Sequence, residues 1–82
     1  MARVVLTSGL SKRFTGGEME LELEANDVRR LIGALDARFP GIGEHLQAGM
    51  AVAIDGEIFQ DPFVETIAPD SEVYFLPRIE GG

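Results

Sequence analysis

The residues of this sequence that could take part in chemistry stand at its C-terminal end, which reads Leu76-Pro77-Arg78-Ile79-Glu80-Gly81-Gly82. Glycine has no Cβ and reaches backbone conformations that are closed to other residues. We therefore expect a segment that ends in Gly81-Gly82 to enter a narrow channel and to present its bare carboxylate to the active site of another protein. The six residues from Pro77 to Gly82 span at most ~20 Å when extended. That length reaches a buried site while the body of the protein docks outside.

The rest of the sequence lacks the patterns of a stand-alone enzyme or a metal protein. Cysteine is absent, which excludes disulfides, thiolate metal sites and cysteine nucleophiles. His45, the single histidine, follows Glu44 without a serine or cysteine nucleophile nearby, so we expect a surface residue. The glutamates alternating along residues 18–24 form a row on one strand, whereas a cation site needs ligands from several segments. We predict no metal and no bound cofactor.

Length and composition indicate one small globular domain. The chain has 82 residues, of which 45% are hydrophobic and 26% charged, and its net charge is −7. The acidic balance argues against a protein that binds the phosphate backbone of nucleic acids. We find no signal segment and no stretch of roughly 20 apolar residues that could span a membrane. We therefore expect no nucleic-acid or membrane partner and a cytoplasmic location.

The first third of the sequence predicts a β-hairpin. Arg3 to Leu6 is rich in β-branched residues, and Leu10 and Phe14 extend its apolar pattern. Thr15-Gly16-Gly17 is a turn signal. Residues 18–24 then alternate between glutamate and an apolar residue, as in a strand with one solvated face.

A helix and three further strands follow. Asn26 is the predicted N-cap, and Pro40-Gly41 the predicted stop. The apolar residues between them are spaced as one helical stripe, namely Val28, Leu31, Ile32, Leu35 and Phe39. Ile42 to Leu46 fits one more helical turn.

Two later turn signals separate the last strands. Asp55-Gly56 favours a type I′ turn between strands at 52–54 and 57–59. Pro69-Asp70-Ser71 precedes the last strand, Val73 to Leu76. The order β-β-α-β-β-β indicates an α+β fold.

The first and last strands are apolar on both faces, although a single helix can cover only one side of a sheet. We therefore predict an apolar patch on the open face of the sheet, which would serve as a partner surface. The alternative is that loop residues such as Phe63 or Ile67 fold over it.

With these elements and the terminal Gly-Gly, the sequence resembles the MoaD/ThiS group of ubiquitin-like (β-grasp) sulfur carriers, which includes the small subunit of molybdopterin synthase. The segments that carry the resemblance are Phe14-Thr15-Gly16-Gly17-Glu18, Leu35 with Arg38-Phe39-Pro40-Gly41, Val52-Ala53-Ile54-Asp55-Gly56-Glu57, Pro69-Asp70-Ser71-Glu72-Val73 with Phe75-Leu76-Pro77, and Gly81-Gly82. The resemblance implies a single β-grasp domain over residues 1–82. Its mixed sheet of four to five strands would pack on one main helix, and residues 77–82 would form a flexible tail.

The resemblance also implies a chemistry in which the protein is a cosubstrate. An adenylating (E1-like) partner would use ATP to activate the Gly82 carboxylate, and a sulfur donor would convert it to a thiocarboxylate for an acceptor synthase. Gly82, with Gly81, would then be the reacting terminus. Counting back from it places Val73 and Phe75 under the helix. The implied partner-binding residues are Tyr74, Leu76, Pro77, Arg78, Ile79 and Glu80.

Other functions remain open at this stage. The acceptor of sulfur could belong to the synthesis of molybdopterin, the thiamine thiazole, cysteine, a thiolated tRNA or a secondary metabolite. A ubiquitin-like modifier or interaction module would share the activation step but transfer its terminus to a lysine amine. Lys12 is the only lysine, so self-linked chains would have one side-chain site.

Overall fold

We analysed a computed structural model, which describes residues 1–77. The strands are β1 (Ala2–Val5), β2 (Glu20–Leu23), β3 (Met50–Ile54), β4 (Glu57–Phe59) and β5 (Glu72–Pro77). The helices are α1 (Ser8–Leu10), α2 (Val28–Arg38) and α3 (Ile42–Gln47), with a π-helical turn at Ser11–Thr15 and a 3-10 turn at Pro62–Val64. The strands form one mixed sheet in the order β2-β1-β5-β3-β4, with β1 and β5 parallel. This agrees with the predicted sheet and main helix.

The first hairpin is present, but its connection is helical. Strands β1 and β2 pair antiparallel, with Val4 opposite Leu21. Leu10 and Phe14 do not continue the strand, as the sequence had suggested. They lie in α1 and the π-helical turn and pack against the core, because their spacing of four residues places them on one side of a helical turn. The Thr7 hydroxyl caps this segment by accepting a hydrogen bond from Leu10 N at 3.2 Å.

Helix α2 carries the predicted apolar stripe but begins one residue later than predicted. Asp27, not Asn26, is the N-cap, and its Oδ1 accepts a hydrogen bond from Arg30 N at 2.7 Å. A backbone bridge between Asp27 and Thr66 fixes this end of the helix beside the loop that leads to β5. The helix ends at Arg38, at the predicted proline-glycine stop.

The turn between α2 and α3 depends on one carboxylate. Asp36 is an exposed residue of α2. Its Oδ1 also accepts hydrogen bonds from the backbone N–H groups of Gly41, at 3.1 Å, and Gly43, at 3.0 Å. Asp36 therefore satisfies backbone donors at the start of α3 that would otherwise lack an intrahelical partner.

The second hairpin follows the prediction closely. Asp55 and Gly56 have φ angles of 49° and 89°, the two left-handed residues of a type I′ turn. Strand β5 lies in the middle of the sheet, hydrogen-bonded to β1 on one side and β3 on the other. The core lies between the sheet and the helices, where Phe75 is 1% exposed. Within residues 1–77, no helix is both long enough and apolar enough to cross a membrane.

Candidate functional site

The last strand carries the core residues and the outward residues in strict alternation. Val73 and Phe75 are buried against the helices, with 0% and 1% of their surface exposed. Tyr74 lies on the opposite side and is 37% exposed, and Leu76 beside it is half-buried. The face assignment made from the sequence is therefore confirmed for these four residues, because successive side chains of a strand point to opposite faces.

The strands beside β5 extend the outward row into a patch. Tyr74 stands between Val5 of β1 and Ala53 of β3, and Ala53 stands opposite Ile58 of β4. Ile58 is 57% exposed. We call this surface the open-face patch and define it as Val5, Ala53, Ile58, Tyr74 and Leu76. The sequence predicted Tyr74 and Leu76 as partner-binding residues but did not identify Ile58. The signal that could have found Ile58 is its apolar side chain in the short predicted strand at residues 57–59.

The two loop residues that could cover the open-face patch, Phe63 and Ile67, lie elsewhere. Ile67 is buried in the core, and its N–H donates to the carbonyl of Asn26 at 3.0 Å. Phe63 packs against the core on the helix side, near Ile32. The alternative that these two residues fold over the open face is wrong. An uncovered apolar patch of this kind is typical of a surface that binds another protein.

Charged side chains border the patch toward the start of β5. Arg3 forms an ion pair with Glu20 of β2 and a second one with Glu72, at 3.5 Å between its Nη1 and Oε2 of Glu72. A hydrogen bond with the Glu72 carboxylate raises the pKa of Tyr74. The hydrogen bond with Glu20 likewise raises the pKa of Arg3. Arg3 therefore neutralises part of the negative charge beside the patch. The other glutamates along residues 18–24 are exposed to solvent.

The predicted reacting terminus begins where β5 ends. Pro77, the first residue of the predicted tail, is still part of β5 and stands opposite Met50 of β3. Arg78, Ile79, Glu80, Gly81 and Gly82 lie outside the described residues. The chain therefore continues toward Gly81-Gly82 from the end of β5 that is paired with β3, next to Leu76 of the open-face patch.

Within residues 1–77, we find no cluster of three or more His, Cys, Asp or Glu side chains able to hold a metal ion. His45 packs on the ring of Phe14, with 5.2 Å between the ring centroids. Lys12 is exposed on the π-helical turn. The described residues therefore offer a surface and a strand that leads toward the predicted reacting terminus.

Solved structures with the same fold cover almost the whole chain. CysO from Mycobacterium tuberculosis, described as an antigen, has a TM-score of 0.84 and 21% identity over 96% of this chain and 100% of its own. The structure of a BexX/CysO complex from Amycolatopsis orientalis matches with a TM-score of 0.85 and 22% identity, over 100% of both chains. Small archaeal modifier protein 1 from Methanosarcina acetivorans matches with a TM-score of 0.78 and 18% identity, over 99% and 95%. The ubiquitin-like β-grasp fold is confirmed.

The family of the chain follows from its sequence as a whole. No curated protein sequence matches it. The model of the ThiS family matches residues 5–82. The matched range includes the whole open-face patch, the terminal Gly81-Gly82 and every strand, although only the last residue of β1 lies within it. The chain belongs to the ThiS family, the ubiquitin-like sulfur carriers that its sequence resembles.

Proposed function

We propose that this protein carries sulfur as a C-terminal thiocarboxylate on Gly82. The observation that carries the proposal is that only Arg78, Ile79 and Glu80 separate Gly81-Gly82 from the end of β5, the strand that carries Tyr74 and Leu76 of the open-face patch. Membership of the ThiS family supports it. In this scheme the protein is a cosubstrate, and its partners supply the catalytic groups and the ATP.

The proposed activation has two steps. A carboxylate oxygen of Gly82 attacks the α-phosphorus of ATP on the adenylating partner, which forms an acyl-adenylate and releases pyrophosphate. The terminal sulfur of a persulfide donor then attacks the carbonyl carbon, and AMP leaves with the bonding electron pair. A thiol cleaves the resulting acyl disulfide and is itself oxidised to a disulfide, so that the thiocarboxylate remains on Gly82. The acceptor that we propose is the large subunit of a molybdopterin-type synthase, which would make this chain the small subunit.

The open-face patch is the proposed docking surface for the activating partner. Tyr74 and Leu76 lie on it immediately before the tail, so a partner that holds the patch also holds the start of the tail in place. Fixing the reacting group in this way is how binding lowers the entropic part of a reaction barrier. A matched carrier-fold protein, CysO, has been captured in a complex with BexX, which supports stable docking by proteins of this shape.

A second candidate function is protein modification. The match to small archaeal modifier protein 1 favours it, and the exposed Lys12 would allow self-linked chains with one side-chain linkage. A modifier would form an amide with a lysine amine after the same adenylation. The two functions are distinguished by the product that follows activation, a thiocarboxylate for the carrier and a covalent conjugate for the modifier.

The experiment that tests the activation is pyrophosphate exchange with the adenylating enzyme of the same organism. We expect the full chain to support ATP-dependent exchange and a variant lacking Gly81-Gly82 to have none. The variant should melt at nearly the same temperature, since it keeps every helix and strand that the structure describes. Exchange that survives the deletion would contradict the proposal.

A further inference from the structure

Strand β2 is an edge of the sheet, because the order β2-β1-β5-β3-β4 has no strand beyond it within residues 1–77. The N–H of Leu6 donates to the carbonyl of Met19 at 2.8 Å, and this pair continues the register of β1 on β2. In an antiparallel ladder, residue pairs that exchange hydrogen bonds alternate with pairs that do not. Leu21 therefore bonds to β1, whereas the N–H and C=O groups of Glu20 and Glu22 point away from it. These outward groups can pair with one more strand.

Two kinds of side chain flank this edge, because successive residues of a strand point to opposite faces of the sheet. On the open side, Glu20 and Glu22 are exposed. On the helix side, Met19 is 43% exposed and Leu23 is half-buried. Met19 lies outside the group of residues that form the core or pack against it, so its apolar surface faces solvent at the edge. We call Glu20 and Glu22 the acidic row, and Met19 and Leu23 the apolar row.

The open side of this edge is acidic. Arg3 stands between Glu22 on β2 and Glu72 on β5, and it forms ion pairs with Glu20 and Glu72. Glu22 takes part in none of the ion pairs within residues 1–77, so its charge stays exposed at the edge. The cations of the neighbouring segments lie on the other face of the sheet, on helical segments that pack against the core, namely Lys12, Arg13, Arg29 and Arg30.

These surroundings select the sequence of an added strand. Cross-strand pairs of opposite charge and pairs of apolar side chains stabilise a sheet, whereas like charges directly opposite each other destabilise it. A strand with basic residues on the open side and apolar residues on the helix side matches both rows. A second copy of this chain fits poorly. Its β2 would bring another acidic row against the first, and its other edge strand, β4, carries no basic residue.

We propose that the β2 edge binds, by strand addition, an extended segment of another protein in which lysine or arginine alternates with apolar residues. In this mode of binding the backbone hydrogen bonds supply affinity and the flanking side chains choose the sequence. The net charge of −7 also favours the approach of a basic segment. Because β1 lies between β2 and β5, the added strand does not pair with β5, and its binding does not depend on the chemistry proposed for Gly82.

Two peptides of the same composition test the alternating pattern. The probe is Thr-Lys-Val-Lys-Val-Lys-Thr with acetylated and amidated ends, and the control has the same residues in the order Lys-Lys-Lys-Val-Val-Thr-Thr. Both carry the same positive charge, so attraction by net charge alone would bind them equally. We expect the Kd of the control peptide to be about tenfold higher than that of the probe. Equal Kd values for the two peptides would overturn the inference.

Amide hydrogen exchange of the full chain reports where the probe binds. In the free protein, the N–H groups of Glu20 and Glu22 should exchange faster than that of Leu21, which is bonded to β1. With the probe at about ten times its Kd, exchange at Glu20 and Glu22 should slow about tenfold, because the edge is then free for about a tenth of the time. Unchanged exchange at these two residues would contradict strand addition. Slowing that rises with protein concentration in the absence of peptide would identify a second copy as the occupant and also overturn the proposal.

Single substitutions test the two rows. Glu22→Lys should raise the Kd of the probe about fivefold. The control Glu44→Lys, at an exposed position of α3, changes the net charge by the same amount and should stay within about twofold of the wild-type Kd. Met19→Ser should raise the Kd about threefold and leaves the core intact, so it remains informative if Glu22→Lys lowers the melting temperature.

Equal effects of Glu22→Lys and Glu44→Lys, or a wild-type Kd for both edge variants, would overturn the assignment of the β2 edge. None of these measurements uses the adenylating enzyme. Failure of activation at Gly82 would therefore leave the binding of the probe standing, and failure of the probe to bind would leave the carrier function standing.

Discussion

The Ser71 hydroxyl donates a hydrogen bond to Oδ2 of Asp55 at 2.8 Å, which joins the β3–β4 turn to the turn that precedes β5. Ser71 is 2% exposed, and its Oγ also accepts a bond from Ala68 N. The other oxygen of Asp55 accepts a bond from Glu72 N at 2.9 Å. These bonds fix where β5 begins. They therefore also fix which of its residues reach the open face.

The first prediction concerns the pH dependence of this contact. The backbone bond from Glu72 and the hydroxyl bond from Ser71 lower the pKa of Asp55 below 3.8. A carboxylate with a lowered folded-state pKa stabilises the fold above its unfolded pKa, and this contribution is lost as the pH falls through the folded value. Asparagine tolerates the left-handed backbone that this position requires but carries no charge. We expect Asp55→Asn to lower the free energy of unfolding by a constant amount from pH 7 to about pH 5.

Below about pH 4 the difference between the two proteins should shrink. The measurement is urea unfolding of both at several pH values. The difference between the two proteins at each pH isolates the contribution of Asp55. A difference that stays constant down to about pH 2.5 would show that the charge of Asp55 plays no part.

The second prediction compares two glycines. A Cβ on Gly43 would lie 2.9 Å from Oδ1 and 3.2 Å from Cβ of Asp36, whereas a Cβ on Gly33 would meet nothing within 4 Å. Because Asp36 is held by two backbone N–H groups, Gly43→Ala should cost about 1–3 kcal/mol. Gly33→Ala, inside α2, should stabilise the protein by about 0.5–1 kcal/mol. Denaturant titration of both variants checks the pair, and a loss of stability in Gly33→Ala would contradict the open space described there.

These examples show which features the sequence could and could not predict. Local patterns were sufficient for α2, for the Asp55-Gly56 turn and for the alternation in β5, because each is decided by neighbours in the chain. The apolar pattern of Leu10 and Phe14 predicts an extended strand, whereas the segment from Ser8 to Thr15 is helical. Their spacing of four residues and the preceding Thr7 are a helical signal.

Features that depend on tertiary contacts were beyond the sequence. Asp55 and Ser71 are 16 residues apart, and the pairing of Arg3 with Glu20 requires the register of β1 on β2. The N-cap is Asp27 and not the predicted Asn26, because the bridge between Asp27 and Thr66 fixes the backbone at that residue. The sequence predicted an apolar patch on the open face of the sheet. It did not predict that Ile58 belongs to this patch, because that depends on the pairing of β4 with β3.

The third prediction separates folding from docking on β5. Phe75 is buried at 1% exposure, so Phe75→Ala should cost about 3–5 kcal/mol through the cavity it leaves. Leu76→Ala, on the open face, should cost far less. For docking we expect the reverse, because Leu76→Asp places a charge in an apolar contact and should weaken binding to the adenylating enzyme by about 2 kcal/mol or more. Melting temperature and binding affinity are measured on the same variants. Unfolding by Leu76→Asp with little effect of Phe75→Ala would show that the two faces are exchanged.

The fourth prediction uses the single tyrosine of the chain. Because Tyr74 is hydrogen-bonded to Glu72, its pKa lies above the ordinary value of 10.0. The absorbance of the phenolate should therefore appear at higher pH than in the unfolded protein. Glu72→Gln should move the titration back toward the ordinary value, because it removes the negative charge beside the hydroxyl. An unchanged titration curve in Glu72→Gln would contradict the contact between the two side chains.

The central claim is that Gly82 carries sulfur, and intact-mass spectrometry of the protein purified from its own organism tests it most directly. We predict a fraction of the chains heavier than the sequence mass by the difference between one sulfur and one oxygen atom, with the extra mass on the C-terminal peptide. A chain lacking Gly81-Gly82, expressed in the same cells, should show none of it. A terminus found only as a free carboxylate, or joined by an amide bond to lysines of other proteins, while the sulfur donor and the adenylating enzyme are both active, would contradict the carrier function.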